Sequence, residues 1–304
     1  MKTDHQSTRI PRLIILLLCA FPWQDLSAQQ HTENALFWKI SGPGIEKPSY
    51  LFGTYHLLNG GYLSEIPGVN EAFEQADGVV VETELDSSKL FQLMPLMVMS
   101  DTKLSDLVSE ADYTLISREV ERTTGASMDM LAQFKPVSLT FMLTVAYAYK
   151  ESQSELGKYD GPPMDTYFTQ VAKKNKKPVD TFETMEEQFS IIFDQLPVKE
   201  QARQLVAFIR SKEDMIKAQS ELLRMYLDQD LNGLYALYRK YEKQFGDATY
   251  LLDDRNVKWM EKLPGMIEKG NQFIAVGALH LTGEKSLILL LRKIGYTLTP
   301  MPVR

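Results

Sequence analysis

The sequence predicts an α/β fold, with a central mixed, partly parallel β-sheet flanked by helices and a large helical insertion in the middle of the chain. Apolar and β-branched runs bounded by Gly and Pro occur near both ends of the 304 residues. A helical pattern separates two of the early runs, and such a βαβ unit favours parallel strands. The middle of the chain has helical spacing almost throughout. With 44% hydrophobic and 24% charged residues, the composition is that of a globular protein and excludes disordered, collagen-like and coiled-coil chains.

The elements follow from local patterns in chain order. Residues 36–42 and 49–56 predict a β-hairpin because Gly42-Pro43-Gly44 and Pro48 interrupt two apolar runs. Pro67 favours the start of a helix over 65–76, and the run GVVVETEL predicts a central strand over 78–85. Further helices are predicted over 87–157, 165–174, 186–243, 254–269 and 286–293, and further strands over 179–184, 272–280 and 296–301. No Gly/Ser linker divides the chain, so we expect one domain over 29–304 with a helical insertion at about 87–245.

The first 28 residues have the pattern of a secretory signal peptide. Arg9 and Arg12 precede a short apolar run, and Ala28 ends the small-residue site before Gln29. We therefore expect a periplasmic or secreted protein without a stable membrane span after cleavage, since the run is too short to cross a bilayer. An amphipathic N-terminal anchor, or a lipoprotein modified at Cys19, are the alternatives. The net charge of −7 and the absence of a long Lys/Arg run argue against nucleic-acid binding.

Two histidines away from the N-terminus occur in the same local frame. His56 ends the sequence Gly-Thr-Tyr-His and His280 ends Gly-Ala-Leu-His, each directly after a predicted strand. Glu82 and Glu84 alternate along another strand end, which predicts that both carboxylates face the same side. Two His and one Glu form a known catalytic zinc-type ligand set, in which the metal activates water. The second carboxylate is then a candidate general base. The alternative is that each histidine is an ordinary hydrogen-bonded residue in the core or at the surface.

The chain resembles the TraB/GumN family, whose animal relatives are the Tiki membrane-anchored metalloproteases. The similar segments occur in order along nearly the whole predicted mature chain: LFWKISGPGIEKPSYLFGTYHLL, ADGVVVETELD, the pair Met164-Asp165, KPVDTFETMEEQ, LLDDRNVKW and FIAVGALHLTG. The resemblance implies a fold shared with the erythromycin esterase and haem-binding ChaN-like group. For the Tiki branch it also implies metal-dependent peptide cleavage through the two histidines and Glu82. Asp254 departs from the family, which usually has a glutamate before Arg255.

Two functions are therefore expected as alternatives. The first is an exported metal-dependent hydrolase, most plausibly a peptidase acting on a peptide or protein, with Zn²⁺, Mn²⁺ or Co²⁺ held by His56, His280 and Glu82. In that function Glu84 or Glu183 is the base or an outer support, and Arg255 stabilises an oxyanion or binds a substrate carboxylate. Alternatively, Arg255 and Asn256 are structural, with Arg255 pairing to Asp253 or Glu183. The second function is a non-catalytic protein of the same fold that binds haem, a metal or a peptide.

Overall fold

The computed structural model describes residues 34–301, so the predicted signal peptide lies outside the described residues. Within that range, six strands form one sheet: β1 (Phe37–Ser41), β2 (Ser49–Thr54), β3 (Gly78–Val81), β4 (Val179–Thr181), β5 (Gln272–Gly277) and β6 (Thr297–Pro300). Their order across the sheet is β4-β3-β5-β2-β1-β6. β5 runs parallel to β2 and β3, and β3 runs parallel to β4, whereas β1 is antiparallel to both β2 and β6. The predicted mixed, partly parallel sheet is therefore confirmed.

The predicted hairpin and the predicted βαβ unit differ in how closely they match the sheet. β1 and β2 form the hairpin, with Phe37 opposite Phe52. β2 and β3 are parallel, as the βαβ unit requires, but they are not neighbours because β5 lies between them. β5 is buried along all six residues, which is typical of a parallel strand covered on both faces. The last third of the chain thus supplies the centre of the sheet.

Helices account for most of the remaining described chain. They are α1 (Val69–Gln75), α2 (Ser87–Leu93), α3 (Glu110–Thr124), α4 (Met128–Leu131), α5 (Pro136–Leu156), α6 (Met164–Lys174), α7 (Met185–Asp194), α8 (Val198–Arg210), α9 (Lys212–Leu227), α10 (Leu231–Phe245), α11 (Asp253–Trp259), α12 (Leu263–Glu268) and α13 (Leu287–Lys293). Short 3-10 turns lie at Gly60–Glu65, Met94–Met97, Leu104–Asp106, Thr249–Leu251 and Ala278–Leu281. Among residues 34–301, the model contains no helix with the length and apolar character that a membrane crossing needs.

Two hydrophobic clusters organise this part of the chain. The larger one surrounds the sheet and includes Phe52, Phe168 and Phe273, whose rings contact one another. The second lies entirely within helical segments and combines side chains of α3, α4, α5, α8 and α9 around Leu143 and Tyr147. The helices of the predicted insertion therefore have a core of their own. β4 and α6, which also lie within the predicted insertion range, pack with the sheet instead.

The carboxyl ends of the four mutually parallel strands meet at one edge of the sheet, which is where open α/β sheets bind ligands. His56 follows β2, Glu82 follows β3, Glu183 follows β4, and His280 follows β5. The ladder continues just past the strands, because the N–H of Glu183 donates to the carbonyl of Glu82 at 2.9 Å. Side chains from segments more than 200 positions apart therefore converge.

Candidate functional site

The glycines of the two Gly-x-x-His segments make room for each other. A Cβ at Gly53 would lie 3.0 Å from the Cα of Ala278, so only a glycine lets β2 and the turn after β5 approach this closely. A Cβ at Gly277 would lie 3.1 Å from Nε2 of His56 and 3.2 Å from Oε1 of Glu82. The missing side chain at Gly277 thus leaves a small space between an imidazole and a carboxylate.

His280 is a fixed, neutral imidazole. The amide nitrogen of Asn256 donates to the carbonyls of His280 and Lys285, so its oxygen faces Nδ1 of His280 at 2.7 Å. Nδ1 must then carry the proton, which leaves a lone pair on Nε2. The ring also lies against Trp259, with centroids 4.3 Å apart, and only 3% of the side chain is exposed. Burial lowers the pKa of His280 to about 3, in agreement with the neutral form.

His56 is the solvent-facing imidazole of the site. Its Nδ1 lies 2.7 Å from Oδ2 of Asp165, and Oδ1 of Asp165 accepts a hydrogen bond from the hydroxyl of Thr54 at 2.8 Å. Because a carboxylate only accepts, Nδ1 carries a proton, and Nε2 points towards the space at Gly277. The side chain is 63% exposed. The charge of Asp165 and its hydrogen bond to the ring raise the pKa of His56 to about 9.

Glu82 stands between the two imidazoles. Its Oε1 accepts the N–H of Gly277 at 2.7 Å and lies 3.6 Å from Nε2 of His280. Its Oε2 accepts from Arg255 at 2.7 Å and from the amide of Gln188 at 3.3 Å. Burial alone would raise the pKa of Glu82, but the charges of Arg255 and His56 and the N–H of Gly277 outweigh this effect, and the pKa is lowered to about 2. The carboxylate is therefore ionised at neutral pH.

Arg255 joins the two buried glutamates and uses every N–H donor it has within the described structure. Nε and Nη2 donate to Glu183 at 2.9–3.2 Å, and Nη2 also donates to Glu82. Nη1 donates to the carbonyl of Leu251 at 3.1 Å and lies 3.3 Å from Nε2 of His280. Since an arginine has five N–H groups, the guanidinium is fully engaged. The expected pairing of Arg255 with Glu183 is present, whereas no donor remains for a substrate carboxylate or an oxyanion.

Glu183 is an anchor for Arg255 in this arrangement. Its side chain is inaccessible to solvent, and Nε1 of Trp259 donates to its Oε1 at 2.8 Å. The guanidinium carbon of Arg255 lies 4.7 Å above the ring of Trp259, which also stacks on Phe182. The carboxylate is surrounded by the donors of Arg255 and Trp259. This supports the outer-support role expected for Glu183 more than the role of a base.

Glu84 is not brought into this cluster. β3 ends at Val81 and the backbone bends at Glu82, so the two-residue alternation that placed Glu82 and Glu84 on one side does not continue. The carboxylate of Glu84 instead pairs with Lys173, and about a third of its side chain is exposed. The expectation that both carboxylates face the same side is therefore wrong.

Comparison with known proteins shows the family of the chain. The model of the TraB/PrgY/gumN family matches residues 36–300, a range that contains every side chain described above. The chain belongs to this family. It is 25% identical over 276 residues to the uncharacterized protein YbaP of Shigella flexneri and, equally, to YbaP of Escherichia coli strain K12. Each of these matches covers 89% of this chain and 96% of the relative. No solved structure matches the chain.

The donors at the site of this TraB/PrgY/gumN protein are of the kind that a divalent metal needs. Nε2 of His280 and Oε1 of Glu82 are 3.6 Å apart, close to the roughly 3–4 Å between two ligand atoms of one zinc ion. Both imidazoles are held through Nδ1, as is usual for metal-bound histidines. Across residues 34–301, however, no three His, Cys, Asp or Glu side chains are arranged so that they could already hold a metal ion. The candidate metal ligands lie at the same edge of the sheet, but their ligand atoms do not surround a single metal position.

Three members of the site were not singled out from the sequence. All three lie in segments that resemble the family, namely Met164-Asp165, KPVDTFETMEEQ and LLDDRNVKW, but no pattern in the sequence gives them a role. Asp165 is the second residue of α6, in its first turn, and α6 is predicted from its apolar spacing alone. The proximity of Asp165 to His56 depends on a tertiary contact, in which residues 58–61 bond to 160–164 through backbone groups. Local patterns contain no signal for such a contact.

Proposed function

We propose that this protein is an exported metal-dependent hydrolase, peptidase-like in its substrate, that uses His56, His280 and Glu82. The observation that carries the proposal is the paired support of the two imidazoles. Asp165 and Asn256 each hold one ring through Nδ1, so that both Nε2 atoms face the carboxylate of Glu82. Such support fixes the tautomer that metal ligation requires.

The charges of the cluster also suit a divalent cation. The cluster contains three carboxylates (Glu82, Glu183 and Asp165) and one guanidinium, so its net charge is −2 once His56 releases the extra proton that its raised pKa retains at neutral pH. Zn²⁺, Mn²⁺ and Co²⁺ all accept nitrogen and carboxylate ligands. A bound metal of this kind polarises a carbonyl and lowers the pKa of a bound water.

The protein residues have distinct tasks in this proposal. His280 is the immobile ligand, because Asn256 and Trp259 fix its ring. His56 is the ligand on the solvent side, so a substrate reaches the site past this residue. Arg255, which Glu183 anchors, favours the ionised form of Glu82. A peptide or protein substrate rests on the resemblance to the Tiki metalloproteases.

The test combines metal analysis with a peptide-cleavage screen on the purified chain. We expect bound metal and cleavage that stops in a chelator and returns when Zn²⁺, Mn²⁺ or Co²⁺ is added. Glu82→Gln should abolish cleavage, whereas Glu71→Gln, an exposed glutamate on α1, should leave it unchanged. A thermal melt of each variant shows that the fold is retained.

Other outcomes would contradict the proposal in distinguishable ways. Cleavage that continues in the chelator would mean a hydrolase without a metal. Bound metal or haem without any turnover would favour the alternative, a binding protein of the same fold. Full activity in Glu82→Gln would remove Glu82 from the site.

A further inference from the structure

We infer that Arg255 is a placeholder cation: in the metal-free protein its guanidinium stands at the position that a divalent cation takes on His280 and Glu82. This inference rests on the proposed function, because it concerns how the metal binds. It predicts that the metal competes with the Nη1 group of Arg255 for Nε2 of His280, and that removal of this group makes the metal bind more tightly.

The competition follows from the lone pair on Nε2 of His280. Asn256 fixes the proton on Nδ1, so Nε2 can only accept. Nη1 of Arg255 lies 3.3 Å from Nε2 and donates to that lone pair. A ring nitrogen has a single lone pair in its plane, which serves either a hydrogen-bond donor or a metal ion. The two states therefore exclude each other.

The burial of the carboxylates explains why a placeholder is needed. Glu82 and Glu183 are 6% and 1% exposed, and a buried charge without a partner is strongly destabilising. Without a metal, Arg255 is the cation that contacts both of them directly. It allows the fold to form first and the metal to bind afterwards.

The remaining contacts of Arg255 allow its Nη1 group to move away from His280. Nε and Nη2 bond to Glu183, Nη1 also bonds to the carbonyl of Leu251, and the guanidinium lies over Trp259. None of these contacts involves His280. Loss of the Nη1 contact therefore leaves the side chain anchored at the same place.

The experiment measures Co²⁺ affinity by calorimetry and by the visible absorption of bound Co²⁺, on full-length protein stripped of metal. The main variant is the double substitution Arg255→Met with Glu183→Gln. It removes one positive and one negative charge, so the net charge of the cluster is unchanged and no charge remains at position 183 without its partner. Glu82 keeps its bonds from Gly277 and Gln188. The single substitution Arg255→Lys serves if the double variant does not fold.

The matched control is Arg292→Met. Arg292 also lies over a tryptophan, 5.5 Å from the ring of Trp38, and bonds to the carbonyl of Leu298, away from the histidines. We expect the double variant to bind Co²⁺ at least about tenfold more tightly than the wild type, as loss of a competing hydrogen bond from a charged donor implies. The control should bind like the wild type.

The outcomes separate this inference from the proposed function. Equal or weaker Co²⁺ binding by a folded Arg255 variant, with normal binding by the wild type, overturns the placeholder role alone. Absence of Co²⁺ binding in the wild type and in all variants overturns both. Binding by the variant but not by the wild type supports the placeholder role and shows that Arg255 wins the competition under those conditions.

Discussion

At the scale of single residues, the absence of a side chain at Gly277 shapes the candidate site. Gly277 has φ −53° and ψ 136°, which any residue adopts, so its conformation does not require glycine. What requires glycine is the space that His56 and Glu82 share with it. The Gly-x-x-His pattern is therefore a packing requirement of two strands that end side by side.

Substitution of Gly277 tests this requirement. In Gly277→Ala the new methyl group would lie 3.1 Å from Nε2 of His56 and 3.2 Å from Oε1 of Glu82, and would push the two ligand atoms apart. We expect at least a tenfold loss of metal affinity and of peptide cleavage. The free energy of unfolding should decrease by about 1–3 kcal/mol, because the methyl group overpacks the site. Calorimetry and a thermal melt measure the two effects.

Gly265 provides the matched control for that substitution. It lies in α12, and a Cβ there would meet nothing within 4 Å. Gly265→Ala should retain metal binding and slightly stabilise the protein, because alanine favours a helix by up to about 1 kcal/mol. Equal metal affinity in both glycine variants would show that the space at Gly277 is not part of the site.

Asp165 orients His56 and is the second test at this scale. In Asp165→Asn the amide can turn its NH₂ group towards Nδ1, which stabilises the tautomer with the proton on Nε2. We expect metal affinity or cleavage to fall about 10–100-fold, the usual cost of losing the outer partner of a ligating histidine. Asp160→Asn, on the exposed end of the same loop, is the control. Unchanged cleavage in Asp165→Asn would mean that His56 needs no orienting partner.

At the scale of elements, a buried glutamate joins the helices of the second core. Glu119 of α3 accepts hydrogen bonds from Tyr147 of α5 at 2.8 Å and from Lys212 of α9 at 3.3 Å, and also from Arg122 and Thr123. Burial raises the pKa of Glu119, but these donors outweigh it and lower the pKa to about 2. Three helices that are separate in the sequence thus depend on one carboxylate.

This network predicts how stability varies with pH. Since the pKa of Glu119 is lower in the folded state than the ordinary 4.5, its contribution is fully present above pH 4.5 and is lost as the pH falls towards 2. The contribution is about 3 kcal/mol at neutral pH, on the scale of 1.4 kcal/mol per pKa unit. Denaturant unfolding of Glu119→Gln should show lower stability at pH 7 and a smaller loss between pH 4.5 and 2. Glu151→Gln, exposed on α5, should behave as the wild type, and an identical acid response in Glu119→Gln would contradict the assignment.

The elements also show where sequence patterns are informative. Short apolar or β-branched runs predicted all six strands, and the signal is clearest for β3 and β5, which are buried along their whole length. In the predicted helical region, the strongly apolar stretch over 131–149 indicates a buried helix with Phe141 and Tyr149 on one face, yet these two side chains of α5 are 54% and 48% exposed. Leu139, Leu143 and Tyr147 face the core instead. The helix is apolar almost all round, so periodicity cannot identify its inner face.

At the scale of the whole molecule, the site depends on the order of the strands. β5 enters the sheet between β2 and β3, and only this placement puts His280 beside both His56 and Glu82. The sequence indicates that the strand ends carry these residues, but not which strands are neighbours, because pairing between distant segments has no local pattern. The pairing of Arg255 with Glu183 could be expected from the sequence. The contact of Arg255 with Glu82 could not, because it depends on which strands are neighbours.

The last prediction concerns the exported form of the molecule. The family match begins at residue 36 and β1 at Phe37, so the predicted signal peptide over 1–28 lies outside the matched range. We expect mass spectrometry of the protein from exporting cells to find a chain that starts at Gln29 and lacks Cys19. Leu16→Arg places a charge inside the apolar run and should block export and cleavage. Ser7→Arg adds the same charge to the basic segment before that run and should leave both unchanged. An intact Met1 on the folded protein, or normal export of Leu16→Arg, would contradict the prediction.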